Sequence, residues 1–259
     1  MRIVVKVGTS TIAHSTGRLN IRLVEELVKI LSDIRNAGHE IILVSSGAIG
    51  MGAGKMLLSA KPSDIATKQA AAAVGQCELM YTYDKLFEEY RHMVGQVLLT
   101  ATDFEDENRK ENFHNTIFKL LEYNVIPIVN ENDTVSTFEI SSIGDNDTLA
   151  ALVAVNTGAD LLILLSDIDG LFTGDPRKDK NAKMISSVYD INEEIEALAG
   201  GAGSKLGTGG MATKISAAKL VTGNGIDMVI TNGSKPKLLY EIIGGNAVGT
   251  RFYCEKESK

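Results

Sequence analysis

The chain of 259 residues suits one large α/β domain or two small ones, and a composition 44% hydrophobic and 23% charged supplies ample core for a soluble globular fold. A net charge of -7 leaves no basic excess to neutralise nucleic-acid phosphates, which excludes sequence-independent nucleic-acid binding while allowing local lysines to serve a small anion. The two cysteines, Cys77 and Cys254, lie far apart as in a reducing compartment, and the four histidines, His14, His39, His92 and His114, lack metal-ligand spacing.

The N-terminal MRIVVKVGTS carries no long apolar segment before a small-residue cleavage site, and LLILL at 161–165 is far too short to span a bilayer. A soluble, cytoplasmic protein with neither membrane nor nucleic acid as partner is the expectation.

In chain order the pattern predicts a strand at IVVKV (3–7), then a helix over 21–37 whose Leu23, Leu27, Ile30, Leu31 and Ile34 share one face. A strand at EIILVS (40–45) and a helix over 64–90 follow, then a strand at HMVGQVLL (92–99) and a helix over 109–124. Next come a strand at VIPIVN (125–130), a helix over 146–157 and a strand at LLILLS (161–166). Helices over 192–199 and 211–223, a strand at DMVIT (227–231) and a helix over 235–243 complete the series. Continuous apolar strands mark a parallel sheet covered on both faces. Their alternation with helices predicts an α/β, doubly wound, mainly parallel sheet in an αβα sandwich. No repeat or Ser/Pro-rich linker divides the chain, so 1–259 is read as one unit, with one ligand on an N-terminal lobe and another on a C-terminal lobe.

In such sheets ligands bind beyond the carboxyl ends of the strands. The first strand ends in KVGTS (6–10). Lys6 either snorkels from an edge strand or meets an anion there, and the neighbouring Gly8, Thr9 and Ser10 favour the anion. SSGAIGMG (45–52) follows the second strand as a tight turn or a close approach to a ligand. NEND (130–133) and SSIGDND (141–147) crowd short polar groups together. A helix cap accounts for Asp145 or Asn146 but leaves Asp133 and Asp147 unexplained. SDIDGLFTGDP (166–176) is an ordinary loop or a nucleotide contact.

GGAGSKLGTGG (200–210) then leads into a helix at Met211 with Lys214 in its first turn. A Walker loop would place lysine directly after glycine, so GTGGMATK (207–214) is of another design. A cation in a first turn opposes the helix dipole, and a phosphate there would explain it.

VVKVGTS (4–10), VSSGAIGMG (44–52), VNENDTVS (129–136), GDNDTLAALVA (144–154), LLSDIDGLFTGDPR (164–177) and GTGGMATK (207–214) together resemble the amino acid kinase family. Within it, the resemblance points to members that act on free L-glutamate, and it covers essentially the whole chain. It implies transfer of the γ-phosphoryl group of ATP, arriving with Mg2+, to the γ-carboxylate of glutamate, the first step of proline biosynthesis. Lys6 and Lys214 are implied to hold the transferring group, and Asp147 to position both. Gly8, Ser46, Asp133 and Asn146 match positions that meet the acceptor or the phosphate. Lys6, Ser166, Asp167, Thr208, Gly209, Gly210, Met211, Ala212, Thr213 and Lys214 match nucleotide positions, with Ser166 where the family usually has Thr.

The resemblance also implies an amino-acid lobe in the N-terminal part and a nucleotide lobe over roughly 160–259. Many members carry a further RNA-modification-type domain, which is not expected here because the sequence stops at Lys259. A homo-oligomer is expected, with handover of product to a γ-glutamyl phosphate reductase. Rival substrates within the fold are aspartate, N-acetylglutamate, carbamate and a nucleoside monophosphate. A catalytically silent nucleotide sensor is the rival from another class.

Overall fold

The computed structural model describes residues 1–14, 16, 18–60, 62–135, 146–176, 178–198 and 210–254. The chain runs β1 (Arg2–Val7), α1 (Thr9–Ile12), α2 (Ile21–Asn36), β2 (Glu40–Ser45), α3 (Ala48–Lys55), α4 (Ile65–Glu88) and β3 (Val94–Leu99). A 3-10 turn at Ala101–Asp103 precedes α5 (Glu107–Glu122), β4 (Ile126–Glu131), α6 (Asn146–Thr157) and β5 (Leu161–Ser166). The remainder comprises β6 (Leu171–Phe172), β7 (Met184–Ile185), β8 (Ser187–Val188), α7 (Glu193–Leu198), α8 (Met211–Thr222), β9 (Asp227–Asn232), α9 (Leu238–Ile243) and β10 (Thr250–Phe252).

Eight strands form one sheet in the order β3-β4-β2-β1-β5-β9-β10-β8, while β6 and β7 pair separately. Every pairing in the large sheet is parallel except β9 with β10. The long strands are apolar along most of their length because helices cover both faces. On one face Val4, Ile42, Val44, Val129, Leu162 and Leu164 pack with Phe113 and Ile117 of α5, Leu149 and Val153 of α6, and Ile215 and Val221 of α8. On the other, Ile3, Val5, Val7, Ile41, Leu43, Ile128 and Ile163 pack with Val24 and Leu27 of α2, Leu79, Tyr83 and Phe87 of α4, and Leu239 of α9. Among the described residues no helix is long and apolar enough to cross a membrane.

Three findings sharpen the sequence reading. The edge-strand reading of Lys6 fails, because β1 pairs with β2 on one side and β5 on the other. SSGAIGMG lies where a strand turns into a helix, as its small residues suggest, but that helix, α3, is absent from the predicted series. Glycines are poor helix formers, yet this helix forms because Gly52 lies against α4: a Cβ there would sit 1.7 Å from the Ala71 carbonyl oxygen. Gly75 of α4 is as constrained, with a Cβ falling 1.8 Å from the Ala48 carbonyl oxygen. Two- and three-residue strands such as β8 and β10 were also missed, being shorter than any periodicity can register. Element ends shift by a few residues where caps intervene: α5 starts at Glu107, with the Asp106 carboxylate accepting from the Arg109 amide at 2.9 Å.

Candidate active site

Strand alternation decides where Lys6 goes. Val4 faces the α5, α6 and α8 layer, so Lys6, two residues on, faces it too. Its ammonium meets Asp147 Oδ1 at 2.6 Å. Asp147 lies in the first turn of α6, fully buried, and its Oδ2 accepts from Lys214 Nζ at 2.8 Å. Lys214 is buried in the first turn of α8. Thr213 Oγ1 lies 3.4 Å from the same Oδ2 and donates to the Gly210 carbonyl at 2.8 Å. One carboxylate thus holds two ammonium groups at the carboxyl end of the central strand.

Burial pushes the Asp147 carboxyl up, but the ammonium groups of Lys6 and Lys214 more than offset this and hold it below the usual carboxylate range. The cluster carries a net positive charge before any ligand arrives. Two helix N-termini, those of α6 and α8, open at the same place, and the positive ends of their dipoles also favour an anion. The arrangement can bind and stabilise transferring phosphate.

A neutral network stands beside it. Asn146, the residue before Asp147, donates through Nδ2 to the Ser45 carbonyl at 3.0 Å, Ser46 Oγ at 2.7 Å and Asn130 Oδ1 at 3.0 Å. Asn130 is in phase with Ile126 and Ile128, so it faces α4, where its Nδ2 donates to Gln76 Oε1 at 2.9 Å. Ser45 also faces α4 and shares a hydrogen bond of 2.9 Å with the Tyr83 hydroxyl, whose pKa burial pushes up to about 12. These groups form a polar floor at the carboxyl ends of β2 and β4.

The structure therefore brings together Lys6, Asp147, Lys214 and Thr213, and joins Asn146 to Ser46. Gly8 borders Lys6, since a Cβ on it would lie 3.6 Å from the ammonium and 3.7 Å from the Leu165 carbonyl. Gly210 precedes α8, and Met211 and Ala212 belong to its first turn. Ser166 ends β5 and donates to the exposed Asp167 at 3.1 Å, without a bond to the lysine cluster. Asp133 is half-buried in the turn after β4; burial and then Glu131 push its carboxyl up to about 7, and no cation among the described residues pairs with it. Thr208 and Gly209 lie outside the described residues.

Sequence reasoning passes over Gln76 and Tyr83 and quotes Ser45 and Asn130 only within SSGAIGMG and NEND. A signal existed. In the predicted helix over 64–90, Gln76 takes the same phase as Ala72, Leu79, Tyr83 and Phe87, which makes it a polar side chain on a buried face.

Comparison with known proteins identifies the family. The model of the amino acid kinase family matches residues 1–232. The chain is 54% identical over 258 residues to the glutamate 5-kinase of Clostridium perfringens, covering 98% of this chain and 96% of that protein. It is 52% identical over 252 residues to the glutamate 5-kinase of Caldanaerobacter subterraneus, covering 97% of this chain and 68% of that longer protein. Among solved structures, a carbamate kinase from Giardia lamblia bound to AMP-PNP superimposes with a TM-score of 0.68 at 16% identity, covering 97% and 98% of the two chains. At that identity the likeness speaks for the fold.

Proposed function

The chain belongs to the amino acid kinase family, and we infer that it transfers the γ-phosphoryl group of ATP to the γ-carboxylate of L-glutamate. The product is γ-glutamyl phosphate, which opens proline biosynthesis. High identity to glutamate 5-kinases along nearly the whole chain supports the substrate. The observation that carries the mechanism is the sharing of Asp147: each of its oxygens holds a different buried lysine.

A glutamate side-chain carboxylate, with a pKa of about 4.3, is already ionised at neutral pH and needs no general base. Its oxygen attacks the γ-phosphorus while the bond to the bridging oxygen of ADP breaks. The difficulty is electrostatic, because two anions must meet. Lys6 and Lys214 offset that repulsion and stabilise charge on the transferring oxygens. Asp147 positions the two ammonium groups and removes no proton, in keeping with a carboxyl held below its usual range. Asp133 pairs with the α-ammonium, which supplies the cation its half-buried carboxylate lacks. Ser46 and Asn146 line the acceptor side, and Gly8 gives the phosphate room beside Lys6. Ser166, Asp167 and residues 208–214 serve the nucleotide.

Among the described residues no group of three His, Cys, Asp or Glu side chains could hold a metal ion. Both Asp147 oxygens are engaged by lysines, so that carboxylate does not fit a metal in this arrangement. Magnesium enters on the phosphates of ATP. The same reading keeps one domain over 1–259 with the nucleotide on roughly 160–259, a cytoplasmic homo-oligomer, and delivery of the labile product to a reductase.

Hydroxylamine traps an acyl phosphate as a hydroxamate. A screen of L-glutamate, L-aspartate, N-acetylglutamate and carbamate should give ATP-dependent hydroxamate from L-glutamate alone. Absence of product from L-glutamate, or a better rate with another acid, overturns the assignment.

A further inference from the structure

We infer that Gln76 is a specificity-determining residue whose side-chain amide donates to the α-carboxylate of the acceptor amino acid; the inference rests on the glutamate reading above. The argument is one of hydrogen-bond direction. The Ser45 carbonyl can only accept, so the Asn146 group 3.0 Å from it must be the NH2. That NH2 also reaches Asn130 Oδ1, which the Glu131 backbone amide independently fixes as an acceptor at 2.9 Å. Asn130 therefore presents its own NH2 to Gln76, and Gln76 must turn its oxygen towards it. The remaining end of Gln76 is an NH2 group by elimination.

That NH2 is buried and meets no acceptor among the described residues, and Gln76 as a whole is 8% exposed. Buried amide groups are ordinarily paired. This one stands two hydrogen bonds from Asn146, whose neighbour Asp147 holds the phosphoryl lysines. A bound amino acid whose γ-carboxylate points at those lysines has one other acceptor group, its α-carboxylate. Asp133, on the turn after the same strand that carries Asn130, suits the α-ammonium alongside. Donor and carboxylate together would read the head of an α-amino acid, with the neutral amide accepting no competing cation.

The test uses L-glutamate and its α-amide, L-isoglutamine, which keeps the γ-carboxylate and α-ammonium. Gln76→Glu retains an oxygen towards Asn130 and replaces only the terminal donor with an anion. It should raise KM for L-glutamate at least about tenfold, the size expected for a hydrogen bond to a charged group. It should also lower the ratio of kcat/KM for L-glutamate over L-isoglutamine by a similar factor, because the α-amide can donate to the new carboxylate. Gln76→Leu, which removes the donor without adding charge, should raise KM for L-glutamate and leave KM for ATP unchanged. Thermal unfolding identifies which variants are folded, and either suffices. Unchanged KM for L-glutamate, or equal losses on both acceptors, overturns the inference while the active wild type preserves the glutamate reading. A wild type inactive on L-glutamate overturns both.

Discussion

The two helical layers deliver different chemistry to the same strand ends. From the α6 and α8 side come full charges, with Lys6 and Lys214 on the two oxygens of Asp147. From the α4 side come neutral amides and hydroxyls, relayed through Asn130, Gln76, Ser45 and Tyr83. Consecutive residues, Asn146 and Asp147, join one layer to the other. A charge cluster is specified by sign alone and acts on whatever charge develops nearby. An amide relay has a direction, so it presents a donor or an acceptor at each end and can distinguish ligands of similar charge. On this comparison the charged side should govern kcat and the neutral side KM for the amino acid.

The largest effect should follow loss of a lysine. Lys6→Ala and Lys214→Ala should each lower kcat by about 10²–10³, the usual consequence of removing one preorganised electrostatic donor. Steady-state rates on folded variants check this, and a near-normal kcat in either removes that lysine from the charged side.

Asp147→Asn should lower kcat by about the same order or somewhat less, since both lysines remain but lose their common anchor. Its kcat should stay level from pH 7 to 9, as should that of the wild type, because an orienting carboxylate imposes no base-type limb. The variant should also differ in acid. Asp147 has a folded-state pKa below its unfolded value, so its stabilisation is present above the ordinary carboxylate range and is lost as pH falls through the lowered value. Asp147→Asn should therefore lose stability near neutrality and show less further loss on acidification, measured by denaturant melts.

Asp133→Ala should raise KM for glutamate about tenfold, as expected when a hydrogen bond to a charged group is lost. KM for ATP should hardly move. Equal weakening of both substrates, read from crossed saturation curves, would merge the two sides rather than separate them.

The smallest effect is on stability without ligand. The carboxyl of Asp133 is pushed up to about 7, above its unfolded value, so its contribution to stability is fully present below the unfolded pKa and lost as pH rises through about 7. Asp133→Asn should therefore melt a few degrees above the wild type at pH 8, corresponding to about 1 kcal/mol, and show no such gain at pH 4. Saturating glutamate should narrow or reverse the gap at pH 8 by stabilising the wild type more than the variant.

The sequence by itself determined the layered α/β class, because strands buried on both faces must be apolar throughout and crossover helices must intervene. It also marked Lys6, Asp147 and Lys214 as residues in need of explanation: a cation in an apolar strand, an acid left over after capping, and a cation in a first helical turn. Each is expensive in isolation, and that expense is visible one residue at a time. Only the tertiary structure decided that the three share one carboxylate, because β1, α6 and α8 are distant in sequence and meet only when the sheet order is set. It alone turned AIGMGAGK into a helix, since the contact of Gly52 with α4 outweighs weak local propensity. It alone decided the amide relay too. Asn and Gln carry a donor and an acceptor each, so their direction is undefined until a neighbouring carbonyl, here that of Ser45, fixes the first member of the chain.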